Sequence, residues 1–371
     1  MYVFTFTILA LFAIKDVFKI NSSTNLKLFI LAILLLIFHD GFRWGVGTDW
    51  EPYLNFFELK EWDFVHFDIG YILLNKFVRL FTDNYSVFLI LHAIIVYSLI
   101  SITIYKYSVY PFLSLFLFYA LMITYLGMNR EYIAFAISLF SYKYLFENKR
   151  FIFVLIILVA SLFHSSVLLF LFAVFFNNEI KLKYMLWIFI TFLIISISGI
   201  VNKLPLNLFY LLSENIGGKM SFYSTSYELD SNLLFTIFSL LKRSICLIIA
   251  AIYYDRLKNS DKNFIIIFNL YFVSTIIYLL FNNTIFQIIV ARGMMYFNIT
   301  EIFMIPYIVS LVSNIEFKKV IILAVFVYGA LTINKSMNFY KDDLGVDIFR
   351  PYNSVLINNQ YNAMEDNSSA N

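Results

Sequence analysis

Apolar residues run in long, nearly unbroken blocks along this chain, separated by short polar steps, and the strict alternation of a half-buried strand is absent. A spanning helix needs roughly 20 mainly apolar residues, and within lipid every backbone polar group must be bonded inside its own segment. Helices are therefore expected at 2–14, 26–38, 84–105, 109–126, 132–146, 151–176, 184–201, 233–254, 263–281, 285–312 and 320–334. A weaker stretch, 69–81, carries Lys76 and Arg79 and is too short to span, which suits an interfacial or re-entrant helix. The fold class that follows is all-α, a polytopic integral membrane protein with about 11 to 12 transmembrane or re-entrant helices.

Composition agrees. Of 371 residues 61% are hydrophobic and only 14% charged, with a mean hydropathy of +0.80; a soluble domain carries about 25% charge. A net charge of +3, dispersed along the chain, gives no reason to expect a nucleic-acid partner. Cys246 stands alone, so no internal disulfide is possible. No basic residue precedes the first apolar block and no small-residue cleavage site follows it, so it reads as a retained span. With no internal repeat and no heptad pattern, residues 1–371 read as one membrane domain.

Charge placement sets orientation, because short loops rich in Lys and Arg stay in the cytoplasm. Lys15/Lys19/Lys27, Lys106, Lys143/Lys149/Arg150, Lys181/Lys183, Arg256/Lys258/Lys262 and Lys318/Lys319 mark that side. The acidic stretch within 39–83 is then the first outward loop with its interfacial helix, 202–232 the second, and 335–371 an outward tail. Two readings of 151–176 remain open. A broken hairpin turning at His164-Ser165-Ser166 keeps the sides alternating and is preferred; one long helix inverts everything after residue 176.

A Lys or Arg at the bilayer centre costs about 2.5 to 3.5 kcal/mol, so each one marks a candidate site. Lys242 and Arg243 lie near the middle of 233–254 and suit either phosphate binding or an ion pair with a carboxylate on another helix. Arg130 stands at a helix start beside Glu131, where backbone donors and the helix dipole favour an anion; a plain Arg130–Glu131 pair is the alternative. Arg292, roughly 10 Å into its segment at 1.5 Å per residue, either snorkels or, with Gly293 and Tyr296, belongs to a close-packed polar-lined cavity. Arg43 precedes Gly45-Val46-Gly47-Thr48-Asp49-Trp50, where two glycines allow a sharp turn that brings Asp49 beside Arg43. That run lacks the third glycine of a dinucleotide fingerprint and the Lys of a phosphate-binding loop.

Guanidiniums on several helices suit a phosphate or pyrophosphate ligand, since the planar fork takes two oxygens at once. Asp49, Glu51 and Asp68 are candidate bases. His39-Asp40 and His66-Phe67-Asp68 place polar groups together, but no HExxH and no Cys/His spacing occurs, so neither a metal nor another cofactor is expected. His164, inside an apolar segment, reads either as a site residue or as a hydrogen-bonded core histidine. Trp44, Trp50, Tyr53 and Trp62 fit a glycan path, although aromatics are common at membrane surfaces.

Several of these residues form an ordered pattern. Arg43-Trp44-Gly45-Val46-Gly47-Thr48-Asp49-Trp50, then Tyr53 and Asp68-Ile69-Gly70-Tyr71, resembles the opening of the EpsG family of exopolysaccharide and O-antigen polymerases, the Wzy-like proteins. Asn129-Arg130-Glu131-Tyr132-Ile133-Ala134 is similar to that family's Arg-(Gln/Glu)-x-x-Ala helix start, and Phe163-His164-Ser165-Ser166 to its Phe-His-x-Ser step. Arg292 with Tyr296-Phe297 and Pro351-Tyr352 also fit, and the match runs in order from about residue 40 to 355. Asp68 departs from the commoner Glu, and Glu131 from the common Gln.

The resemblance implies a fold related to class C glycosyltransferases. It also implies a polymerase that joins oligosaccharide units carried on undecaprenyl pyrophosphate, on the outer side of the bacterial cytoplasmic (inner) membrane. Together with the residue-level reading above, which alone supplies Lys242 and Arg243, this makes Asp49, Asp68 and His164 the catalytic candidates, and Arg43, Tyr53, Arg130, Glu131, Lys242, Arg243, Arg292 and Tyr352 the candidates for substrate binding. The implied partners are the lipid-linked glycan, the bilayer and a chain-length regulator. Two other readings are a membrane glycosyltransferase that adds one sugar from a polyprenyl-phosphate donor, and a lipid-linked glycan flippase, although transporters usually show internal pseudo-symmetry and none is found here.

Overall fold

The computed structural model describes residues 1–19, 26–59, 67–203 and 233–356. Trp62, His66, residues 204–232 of the second outward loop and the tail beyond 356 lie outside the described residues. Among those described, regular structure is entirely helical, with one isolated antiparallel bridge between Arg43 and Ser354. The protein is an all-α, multi-pass membrane protein.

The chain divides into two compact units. The first comprises Met1–Lys143, Ile152–Ser165 and Val309–Asn371. Its helices up to Ser165 are α1 (Tyr2–Val17), α2 (Leu26–Gly41), α3 (Trp50–Leu59), α4 (Ile69–Arg79), α5 (Tyr85–Tyr107), α6 (Pro111–Met122) and α7 (Asn129–Phe146), followed by most of α8 (Arg150–Ser161); a last long helix follows Val309. α3 was not expected from sequence; it occupies the first polar loop. α4 is the short amphipathic helix expected at 69–81. α2 packs along α5, and α1 along α6. Gly41 permits the first contact, because a Cβ there would stand 3.0 Å from the Ile90 Cα. The Asn84 side chain starts α5 by accepting from the Ser86 N–H at 2.9 Å.

The second unit comprises Tyr144–Phe151 and Ser166–Ile308. It holds a 3-10 run at Ser165–Phe176, α9 (Leu182–Ile197), α10 (Leu233–Ile252), α11 (Tyr254–Ser260) and α12 (Asn263–Phe281). A π turn at Ile289–Gly293, α13 (Met295–Asn298) and α14 (Glu301–Ser310) complete it. α12 is the central element, with α9, α10 and α13 packed on it. Asn177 donates to the Asn148 side chain at 3.0 Å, so the chain that leaves at Asn148 comes back to it after 150–176. α8 ends at Ser161 and the 3-10 run begins at Ser165, which puts the break at the polar step read as a turn.

Two expected segments differ. The single span read at 285–312 is interrupted by the π turn, by α13 and by turns before α14; apolar composition marks depth, not helical continuity. The helix read at 320–334 is longer, α15 (Ile315–Leu344), so residues 335–344 of the expected tail are helical. Nothing in that stretch breaks a helix until Gly345, whose left-handed backbone (φ 69°) closes it.

Among the described residues, three helices are long and apolar enough to cross a membrane: α5, α12 and Ile315–Phe339 of α15. A fourth span arises if α10 and α11, bent by 74°, count as one. The remaining apolar stretches are shorter than the roughly 20 residues a span requires.

A candidate active site around Arg130

The first polar loop is built on two close approaches. Gly47 (φ 112°) and Gly127 (φ 104°) face each other so tightly that a Cβ on either would lie 2.8 Å from the other's Cα. Only glycine meets both demands, of conformation and of space. The Thr48 N–H donates to the Leu126 carbonyl at 3.2 Å, fixing loop 42–49 against the turn that precedes α7. From the other side the C-terminal segment straps it down: Trp44 N–H donates to Asn353, Gly47 N–H to Ile348, and Val355 N–H to Phe42.

Arg43 lies inside this arrangement, 1% exposed. It pairs with Asp40 and also donates to the Asp40 carbonyl (2.9 Å), the Val46 carbonyl (3.2 Å) and the Asn129 side chain (2.8 Å). The expected partner, Asp49, is not the one used. Asp40, three residues back on α2, reaches the guanidinium directly, and the glycine turn carries Asp49 onward to the start of α3. With four of its five N–H donors engaged by protein groups and almost no exposure, Arg43 acts as an internal brace of this loop.

Residues 129, 130 and 131 open α7 and, at 100° per residue, point three ways. Asn129 turns inward: it accepts from Arg43, donates to the Tyr85 hydroxyl (3.0 Å), and its carbonyl meets His92 Nε2 (3.0 Å). Arg130 is a quarter exposed. It donates to the Tyr53 hydroxyl (3.2 Å) and to Asp68 (3.0 Å), and its guanidinium lies 4.9 Å from the Phe67 ring centre. That ring adds a cation–π contact to the ion pair. Glu131, 2% exposed, turns toward His164.

Asp68 sits at the N-cap of α4, yet its side chain does not cap the helix and reaches Arg130 instead. Gly70 then allows the end of α8 to approach, its N–H donating to the Leu162 carbonyl at 2.7 Å. This contact delivers His164. Its Nδ1 stands 3.8 Å from Asp68 and its Nε2 4.0 Å from Glu131, so two carboxylates flank one imidazole at electrostatic range, beyond hydrogen-bond length. Nδ1 is buried, with no hydrogen-bond partner among the described residues.

Tyr53 is packed within an aromatic nest with Phe67 and Tyr71, at ring separations of 5.8 and 5.2 Å. Only 3% exposed, it is no stacking platform for sugar; its hydroxyl is what reaches the site. Burial raises its pKa, opposed by the Arg130 charge, so the hydroxyl stays protonated. The Asp49 charge also acts on Tyr53, and the Asp49 carbonyl accepts from the Tyr53 N–H (3.3 Å), one turn away. Tyr352 is bonded elsewhere: its hydroxyl donates to the His39 carbonyl (2.7 Å) and its ring stacks on His39.

In the second unit, Lys242 grips both oxygens of the fully buried Glu301 at 2.8 and 2.9 Å. Arg243 donates to Asn298 (3.0 Å) and lies 4.4 Å from the Tyr278 ring centre. Lys242 thus forms the ion pair with a carboxylate on another helix that the sequence allowed, while Arg243 meets an amide and an aromatic ring. Arg292 falls in the π turn. Close packing around it is evident, because a Cβ on Gly293 would collide with Leu169, and Tyr296 bonds Ser166 at 2.8 Å.

Asp40, Asn129 and Glu301 were not singled out from sequence as site partners. Glu301 carried a readable signal: a lone acid in a long apolar run is as expensive as the cations already noted. The family model of the EpsG family matches residues 26–354. The chain belongs to the EpsG family. At family level, EpsG membership suggests a Wzy-like polysaccharide polymerase with glycosyltransferase-like activity. The EpsG match covers Arg43, Asp68, Arg130, Glu131 and His164, and ends at the Ser354 bridge. No curated protein and no solved structure matches the chain.

Proposed function

We propose that this protein polymerises oligosaccharide repeat units carried on undecaprenyl pyrophosphate into O-antigen, capsule or exopolysaccharide on the outer side of the bacterial cytoplasmic membrane. One observation carries the reading: in an EpsG-family chain, a partly exposed arginine, Arg130, shares one cluster with Asp68, Glu131 and His164, drawn from three separate segments.

The chemistry needs those groups. As the bond from the donor sugar to its pyrophosphate breaks, negative charge grows on the departing oxygen, and a positioned guanidinium offsets it. The acceptor hydroxyl forms the new glycosidic bond and gives up a proton, which Asp68 or His164 receives. Asp49, one turn from Tyr53, is the other candidate base. Arg292 is the candidate cation of the second unit, while Arg43 supports the first unit's site from beneath. The donor arrives already activated, so the reaction requires no nucleotide. A chain-length regulator is the expected protein partner.

The test is complementation of a deletion strain with Arg130→Ala, Asp68→Asn and His164→Ala. Single repeat units are expected to accumulate on lipid while the long ladder disappears. Normal ladders from all three variants overturn the proposal; a product extended by only one sugar points to a single-sugar transferase instead.

A further inference from the structure

α1 and α15 both pack on α6 through one ring. Phe6 and Phe326 meet Phe116 edge-on, at 5.0 and 4.9 Å between ring centres. Towards the start of α15 the two helices leave an open apolar groove of about 500 Å³, walled by Ile14, Phe18, Ile322, Leu323 and Phe326, with Lys319 at one end. Lys319 is paired with Glu316 at 2.7 Å. Near it, Lys318 and Lys19 are close enough for their charges to repel, and neither has a carboxylate partner among the described residues. Lysines at a helix start also oppose the helix dipole. The sequence therefore gathers cations where the fold alone disfavours them, at the end of a trough lined by hydrocarbon.

We propose that this groove holds one anionic phospholipid, its acyl chain along Phe18, Leu323 and Phe326 and its phosphate headgroup among Lys19, Lys318 and Lys319. An anion there relieves both the mutual repulsion and the conflict with the dipole. Basic pockets between membrane helices on the cytoplasmic side recognise such headgroups, and the cation-rich loops at Lys19 and Lys318 are those the positive-inside rule assigns to that side. The site is separate from the Arg130 cluster and does not depend on what that cluster catalyses.

The test is native mass spectrometry of the full chain in a non-ionic detergent, titrated with phosphatidylglycerol or with phosphatidylcholine. The anionic lipid is expected to bind at least tenfold tighter. Lys19→Gln with Lys318→Gln is expected to weaken it by roughly 25-fold, about fivefold per lysine or ~1 kcal/mol each. Lys318→Gln alone, at an exposed helix start, gives the same reading if the double variant fails to fold. Leu323→Trp, which fills the groove, is expected to weaken both lipids. Equal affinity for the two lipids, an unchanged affinity in the lysine variants, or displacement of the lipid by millimolar inorganic phosphate would each overturn the proposal.

Discussion

Arg130 and Asp68 meet at 3.0 Å across 62 residues of sequence, and both side chains are a quarter exposed. A carboxylate so placed holds the guanidinium in position. Replacing Arg130 by Ala is expected to lower polymer formation by about 100-fold or more, the range for loss of one charge-stabilising donor. Arg130→Lys keeps the charge but not the planar fork, and should restore only part of the activity. Ladder length and the amount of accumulated single units measure both.

Arg43 should behave differently. It is buried and its partners are all protein groups, so its removal leaves Asp40 unpaired in the interior. Breaking a buried pair in this way costs about 3 to 5 kcal/mol. Arg43→Ala is therefore expected to lower the amount of folded protein recovered from membranes and its thermal midpoint in detergent. Arg130→Ala should leave both near the parent value. Equal stability of the two variants would remove the distinction between brace and ligand contact.

Gly70 controls the position of His164 from a distance. A Cβ at residue 70 would stand 2.8 Å from the Leu162 carbonyl, so Gly70→Ala must push the end of α8 away from α4. A displacement near 1 Å is enough to lower activity by about 100-fold when reacting groups lose alignment. If this loss acts through His164, adding His164→Ala to Gly70→Ala should reduce activity little further. Additive losses in that cycle would show that the glycine matters for another reason.

The sequence made the charged members of the site legible one at a time, because each polar residue in an apolar run carries its own insertion cost. His164 and Arg130 were visible on that ground, as were Lys242 and Arg243. Their partners were less so. Asp40 lies at an i,i+3 spacing from Arg43, yet the glycine pair drew the expectation to Asp49. The contact of Gly47 with Gly127, and the strap formed by residues 348–355, depend on pairings across the whole chain that no local pattern encodes. The same is true of the interruption in 285–312, where Gly293 answers to Leu169, a neighbour in space only. Apolar composition located the buried segments well and their breaks poorly.

Lys242 and Glu301 give the clearest separation of a structural charge from a functional one. Glu301 is fully buried and both its oxygens are held by Lys242, so Glu301→Ala takes from the ammonium the carboxylate that grips it in an apolar setting. The expected loss is about 3 to 5 kcal/mol, seen as a lower thermal midpoint in detergent. Removing both charges, as Lys242→Met with Glu301→Leu, replaces the pair by apolar groups of similar size and should return stability close to the parent. If the pair is purely structural, that double variant also makes polymer of normal length. A stable double variant that no longer makes polymer would instead place Lys242 on the path of the lipid-linked substrate, the role its cationic neighbour Arg243 and its position in an apolar helix first suggested.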